Sequence, residues 1–459
     1  MPRTSSRRPQ ARAGLRAHQR TRLAASVVVA TVLAVGALAS GCQPALERTV
    51  TPPVVVDEFA AYDVSLHGRE RLELACGDGA VIEYEAVTGL VDGAAFLVAI
   101  PAAWEERRQL VLYAHGYIPP DEPPGFPDPL PPDIEALRDG LLCEGFALAA
   151  SSYARHGYAV SDGVRDTHLL NGVVRQHVGI EPRHTLLMGQ SMGALISAHL
   201  AERYPERYDG ALVSCGPLAG SLVQLNYVGH VRVLTDAFVP ELFPEDAVTP
   251  TSRSLAEVQR LVAELDPQAL EQLASVRLPG STLFHPGGVP LLPSDPHASD
   301  HEASLRASLV SALSYGVVGM ADVLERGGGV PFDNNLTYYR SPLLSPLETL
   351  LLNERVARHV RSTSARQHWW RWAQPRGALQ IPIVNLHTLA DPDVPFAHAV
   401  VYDQLTRLAG AREFLLTYPV DRYGHCAFTL EEVVMAFAYL VAWVETGSRP
   451  PLPDTDRAP

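Results

Sequence analysis

His184-Thr185-Leu186-Leu187-Met188 runs directly into Gly189-Gln190-Ser191-Met192-Gly193, and Ala194-Leu195-Ile196-Ser197 follows without a break. A short apolar run bounded by turn residues suits a buried parallel strand. Small residues at the start of the next stretch suit a helix packed close against that strand. The pentapeptide between them reads G-x-S-x-G. In that pattern the serine sits on a sharp strand-to-helix turn. Its flanking glycines let the two elements approach, and its hydroxyl projects from the top of a sheet. A glycine-flanked turn serine would give the same five letters; the strand before and the helix after favour the nucleophile reading.

Working outward from Ser191, strands and helices alternate. Residues 70–75 and 81–86 flank Gly77-Asp78-Gly79, a hairpin signal. Strands are expected at Phe96–Ile100, Gln109–Ala114, Phe146–Ser151, His184–Met188 and Asp209–Ser214, with helices at 133–143, 166–178 and 192–204. Such alternation argues for an α/β fold, a mostly parallel sheet flanked by helices. From about Gly216 to Leu379 the pattern breaks into helical pieces (254–276, 301–324, 343–361) between Pro- and Gly-rich loops. It resumes with strand Ile381–Leu386, helix 396–409, strand Phe414–Tyr418 and helix 429–445. The expected layout is a leader at 1–41, a tether and N-terminal extension at 42–69, and the first part of the core at 70–216. A largely helical cap at 217–379, the second part of the core at 380–446 and a disordered tail at 447–459 complete it.

A serine nucleophile needs a base and an orienting acid. Among the downstream histidines, His425 in Tyr423-Gly424-His425-Cys426-Ala427 follows the last expected strand, where Gly424 permits a tight loop. Three acids lie in the same half: Asp391 just after the strand Ile383-Val384-Asn385-Leu386, then Asp393, and Asp421 four residues before His425. Asp391 is the favoured acid, with Asp393 and Asp421 as alternatives. Backbone N–H groups should form the oxyanion hole. Met192 supplies one at the helix start; Tyr117, in His115-Gly116-Tyr117 after the strand Gln109–Ala114, is the candidate for the other. His115 as the base would reverse the chain order of nucleophile, acid and base.

His115-Gly116, Gly189–Gly193, Asp391 in Leu389-Ala390-Asp391-Pro392-Asp393-Val394-Pro395 and His425 occur in an order that resembles the α/β-hydrolase superfamily across roughly residues 70–445. Tyr117 stands where many lipases continue their glycine run, and Gly193–Gly216 resembles secreted esterases and some peptidase-like members. The resemblance implies a serine hydrolase cleaving carboxylic esters through an acyl-enzyme, with a serine peptidase or amidase of the same fold as the alternative. It implies no cofactor and no metal, and a small-molecule or polymeric ester as the substrate. A dead scaffold used for binding is disfavoured by the intact triad.

Residues 1–41 read differently. Arg3, Arg7, Arg8, Arg12, Arg16, Arg20 and Arg22 precede the apolar run Leu23–Ala39, and no acidic residue occurs before Glu47. This is the layout of an export signal. Ala39-Ser40-Gly41-Cys42 resembles a bacterial lipobox, which implies a lipid on Cys42 and a cell-envelope lipoprotein; a secreted or periplasmic soluble protein is the alternative. Membrane contact is expected only through that lipid. Without the leader, 30 basic residues face 51 acidic ones, a net of −21, which makes nucleic acid a poor partner. The chain has no lysine.

Of five cysteines, Cys76, Cys143, Cys215 and Cys426 remain once Cys42 carries lipid. They allow three connectivities in an oxidising compartment. A Cys215–Cys426 bridge would staple the histidine loop, but Cys76–Cys143 with two free thiols is equally permitted. In the cap, Trp369, Trp370 and Trp372 would either line an aromatic cleft or pack the cap onto the core. An aminopeptidase would need converging carboxylates there; Glu241, Glu245, Asp246, Asp333 and Glu348 are available.

Overall fold

The computed structural model describes residues 62–451 apart from 78, 123–124, 127–131, 252 and 279–289. The arginine-rich leader, Cys42 and residues 452–459 of the tail lie outside the described residues. Along the chain come β1 (Val64–Ala75), β2 (Val81–Val91), β3 (Ala94–Pro101), the single turn α1 (Trp104–Arg107), β4 (Gln109–Ala114), α2 (Pro132–Cys143), β5 (Ala147–Ser151), α3 (Val160–Val173), β6 (His184–Gln190), α4 (Met192–Arg203) and β7 (Gly210–Ser214). Then α5 (Ser221–Phe238), α6 (Leu255–Ala263), α7 (Pro267–Ala274), α8 (His301–Leu313), α9 (Met320–Gly327), α10 (Pro346–Arg355) and α11 (Thr363–Ala373) separate β7 from β8 (Ile383–Ala390). The chain closes with α12 (Ala397–Leu408), β9 (Leu415–Tyr423) and α13 (Leu430–Thr446).

The strands form one sheet in the order β1-β2-β3-β5-β4-β6-β7-β8-β9. β1, β2 and β3 pair antiparallel, β3 meets β5 antiparallel, and the rest from β5 to β9 are parallel. This is the α/β-hydrolase architecture. Every residue of β4, β5 and β7 is buried, as expected for strands covered on both faces. The connection from β4 goes to one side, into β5, and the chain then returns across β4 to β6. Loops leaving the carboxyl ends of β4 and β6 therefore diverge and open a crevice at that end of the sheet.

Several elements depart from the sequence expectation for identifiable reasons. β1 begins at Val64, inside the stretch expected as tether, because it adds an edge strand along the whole of β2. The helix expected at 254–276 is two helices: Asp266 accepts the Ala269 N–H at 3.0 Å and Pro267 opens the second one. The stretch 301–324 is also interrupted, by a wider π turn at Ser314–Val318 between α8 and α9. α10 stops at Arg355, where Val356 is extended. β9 runs five residues beyond Tyr418, to Tyr423. Three helices went unforeseen: the single turn α1, the long α5, and α11.

The helices between β7 and β8 bury a cluster of their own, including Val231, Leu234, Leu270, Leu309, Phe332 and Tyr339. Three of them also reach the α/β core: α5 through Leu222 and Leu225, α9 through Val323, and α11. Ala365, Trp369 and Ala373 pack into the α/β core, where Trp369 meets Tyr158 with ring centroids 5.3 Å apart. Trp369 is fully buried and Trp370 is 55 % exposed. Trp369 thus packs α11 onto the core, and none of the three tryptophans lines the pocket at Ser191, so the cleft expectation is corrected.

Candidate active site

Ser191 occupies the turn between β6 and α4 with φ 54° and ψ −122°. Its N–H donates to the Ser214 carbonyl of β7 at 2.9 Å, which holds the unusual backbone in place. A Cβ on Gly189 would fall 2.2 Å from the Gly193 carbonyl oxygen, and one on Gly193 would fall 1.9 Å from that of Ala114. Both flanking glycines are therefore demanded by close backbone approach, one between strand and helix, the other between helix and β4.

The candidate base, His425, follows β9. Gly424, at φ 113°, turns the chain immediately after the strand. Its N–H donates to Ala390 O at 3.1 Å, and its carbonyl accepts from Thr388 Oγ1 at 2.7 Å. The next residue, His425, places Nε2 2.9 Å from Ser191 Oγ. Its Nδ1 lies 2.8 Å and 3.0 Å from the two carboxylate oxygens of Asp391. A carboxylate accepts only, so the proton belongs on Nδ1 and Nε2 is free to accept from the serine hydroxyl. Burial disfavours the imidazolium, yet the Asp391 charge and hydrogen bond, with Asp393 beyond, outweigh it and raise the His425 pKa above 6.5.

Asp391 follows β8 and is buried, 1 % exposed. Its Oδ1 also accepts the N–H groups of Asp393 and Val394, each at 2.9 Å. Of the three acids considered, the structure brings Asp391 to His425. Asp393 is turned to the cap, bonded to Ser311 Oγ and, at 3.2 Å, to Tyr315 Oη. Asp421 is exposed on β9. The sequence argument missed that α5 bonds the backbone of the loop carrying Asp391. Gln224 Nε2 of α5 donates to Asp393 O at 2.7 Å, and Tyr227 Oη donates to Pro392 O at 2.9 Å. The polar residues on α5 are the only sequence trace of those bonds.

Met192 opens α4, so its N–H is among the helix-end donors without an intrahelical acceptor. Gly116 lies against Ser191; a Cβ there would sit 3.4 Å from Ser191 Cβ. The following residue, Tyr117, thus lies on the loop beside Ser191, and its N–H has no acceptor among the described residues. His115 has another place. Its ring stacks on Tyr153 at 3.8 Å, Nδ1 donates to Gly116 O at 2.7 Å, and burial lowers its pKa to about 4.

Two disulfides are present. Cys76–Cys143 ties the end of β1 to the end of α2, and Cys215–Cys426 joins the residue after β7 to the residue after His425. The alternative with two free thiols is corrected accordingly. A narrow pocket opens at Ser191, walled by Tyr117, Tyr158, Leu225, Val228, Tyr315 and Val323. Among the described residues none of its lining side chains is a carboxylate. The acids considered for an amino-terminus site are dispersed. Glu245 pairs with Arg253, Asp246 with His359, Glu348 caps α10, Asp333 accepts from Asn335 N–H, and Glu241 is exposed.

Residues 149–278 match a family described as "Serine aminopeptidase, S33". No curated protein matches the chain. Solved structures similar to it include feruloyl esterase B from Aspergillus oryzae (13 % identity, 84 % of this chain and 88 % of that one, TM-score 0.48). Tannin acyl hydrolase from Aspergillus niger aligns at 13 % identity over 85 % of this chain and 83 % of that one, TM-score 0.43. Candida antarctica lipase A aligns at 14 % identity over 84 % and 83 %, TM-score 0.43.

Proposed function

We propose that the chain is a serine hydrolase that cleaves carboxylic esters. The observation that carries this reading is the continuous hydrogen-bonded chain Ser191–His425–Asp391 at the mouth of an apolar pocket. Ser191 Oγ attacks the ester carbonyl carbon while His425 Nε2 takes its proton. The N–H groups of Met192 and Tyr117 receive the oxyanion. The tetrahedral adduct collapses, the C–O bond to the alcohol breaks, and His425 returns the proton to the departing oxygen. Water then attacks the acyl-enzyme, His425 takes its proton, and release of the acid restores Ser191. Asp391, accepting from His425 Nδ1, holds the imidazole in the tautomer this cycle needs.

A peptidase or amidase is the second reading, favoured by the description of the matched family. The absence of a carboxylate from the described pocket lining weighs against recognition of a free amino terminus. Assays of residues 43–459 on short p-nitrophenyl esters and aminoacyl p-nitroanilides separate the two. Ester turnover that vanishes in Ser191→Ala is the expected result. Turnover that survives in Ser191→Ala overturns the mechanism, and anilide turnover far above ester turnover overturns the substrate class.

We infer further that residues 1–41 direct export and that Cys42 is lipidated. The arginine-rich apolar leader and two disulfides, which persist in oxidising compartments, support this. Mass spectrometry of the mature amino terminus tests it: cleavage before Cys42 with an added diacylglyceryl mass is expected, and an unmodified terminus elsewhere rejects it.

A further inference from the structure

The pocket beside Ser191 is apolar on nearly every side, and most polar tips on its walls are already used. Tyr158 Oη lies 2.9 Å from Ser221 Oγ, and Tyr315 Oη donates to Asp393 at 3.2 Å. Gln224, on α5, is different. It lines the pocket, is 6 % exposed, and its Oε1 is buried with no partner among the described residues. The amide orientation is not arbitrary: the other end, Nε2, lies 2.7 Å from the Asp393 carbonyl, which only a donor can satisfy. Flipping the amide would set two carbonyl oxygens against each other. A buried acceptor left unpaired costs the full desolvation of the group, so such a group calls for a partner.

We propose that Gln224 is a specificity determinant: its Oε1 accepts a hydrogen bond from a hydroxyl or N–H on the part of the ester that enters the pocket. The preferred substrate then has an apolar body, matched to Tyr117, Leu225 and Val228, and one hydrogen-bond donor. The Tyr117 hydroxyl also lacks a partner among the described residues, but a hydroxyl both donates and accepts and so imposes no such choice. The Gln224 carbonyl accepts only, and it sets the sign of the selectivity. A site built to bond a polar hydrogen rejects the analogue without it far more strongly than an apolar pocket rejects a missing methylene.

This inference rests on the ester-hydrolase reading, and the test separates the two. Esters are compared in matched pairs that differ by one hydroxyl: 3-phenylpropanoate methyl esters with and without a ring hydroxyl, and acetates of phenylpropanol with and without one. For the wild-type protein one pair should show kcat/KM at least about tenfold higher for the hydroxylated member. In Gln224→Met that ratio should fall to about one. Tyr227→Phe removes the neighbouring bond to Pro392 O without touching the pocket lining, and should lower both members equally and keep the ratio. Wild-type ratios near one in both pairs overturn the proposal, as does a Gln224→Met protein that retains the ratio. No Ser191-dependent turnover of any member overturns the ester-hydrolase reading instead.

Discussion

Each residue of the proposed catalytic chain is held by contacts that its substitution tests separately. Gly193 leaves no room for a side chain, because a Cβ there would overlap the Ala114 carbonyl. Gly193→Ala should therefore lower the melting temperature and abolish ester turnover together, and retention of both would contradict the packing at the elbow. Asp391→Asn keeps the shape but loses the charge that fixes the Nδ1 proton. It should reduce kcat by about 10³–10⁴-fold with little change in fold, read by steady-state kinetics and circular dichroism. The proposed cycle needs neutral His425, and its pKa is raised above 6.5, so kcat/KM should fall as pH drops through that raised value. Part of the elevation comes from Asp393. Asp393→Asn should thus move the acid limb to lower pH while turnover on the plateau persists; an unmoved limb would show that Asp393 is electrostatically silent.

The elements explain why these residues meet. β8 and β9 are parallel neighbours, and Asp391 and His425 follow their carboxyl ends, so the two side chains meet across one strand spacing. Ser191 leaves β6 and the Gly116–Tyr117 loop leaves β4, again adjacent strands. α5 reaches down from the cap with Gln224 and Tyr227 and bonds the backbone of the acid loop at Asp393 and Pro392. The helices between β7 and β8 thus both line the pocket and bond the loop that carries Asp391. The disulfide Cys215–Cys426 closes a separation of 211 residues and ends beside His425. Replacing both cysteines by alanine should cost about 2–5 kcal/mol in denaturant unfolding. Because the bridge anchors the histidine loop, kcat should fall too; a destabilised variant with unchanged kcat would assign the bridge to stability alone.

Across the whole molecule, cap and core are joined by buried charge. Arg326 on α9 has a side chain only 6 % exposed and pairs with Asp322 of the same helix and with Asp162 of α3, at 2.6 Å each. It also donates to the His156 carbonyl, while Asp322 accepts the Tyr158 N–H at 2.7 Å. Removing one partner of such a cluster strands the others without solvent. Arg326→Met should cost about 3–5 kcal/mol, measured by urea unfolding, and a loss below about 1 kcal/mol would show that the junction bears little load. The second cluster of buried residues gives the helices between β7 and β8 material to fold on, and this junction, the bonds to the Asp391 loop and the packing of α11 tie them to the core.

Local pattern was enough for much of this chain. The apolar run before Ser191, the glycines around it and the strand–helix alternation on both sides are short-range signals, and they point to the α/β architecture and the order nucleophile, acid, base. Long-range pairing settled what they left open. Asp391, Asp393 and Asp421 are alike as letters, and only the neighbouring β8 and β9 put one of them on His425. The four cysteines admitted three pairings until the sheet brought Cys215 to Cys426 and Cys76 to Cys143. α5 escaped notice because it is buried nearly all round, so its sequence lacks the one-sided apolar period that marks a surface helix. That same burial carries Gln224 to the pocket, a placement that no spacing along the chain encodes.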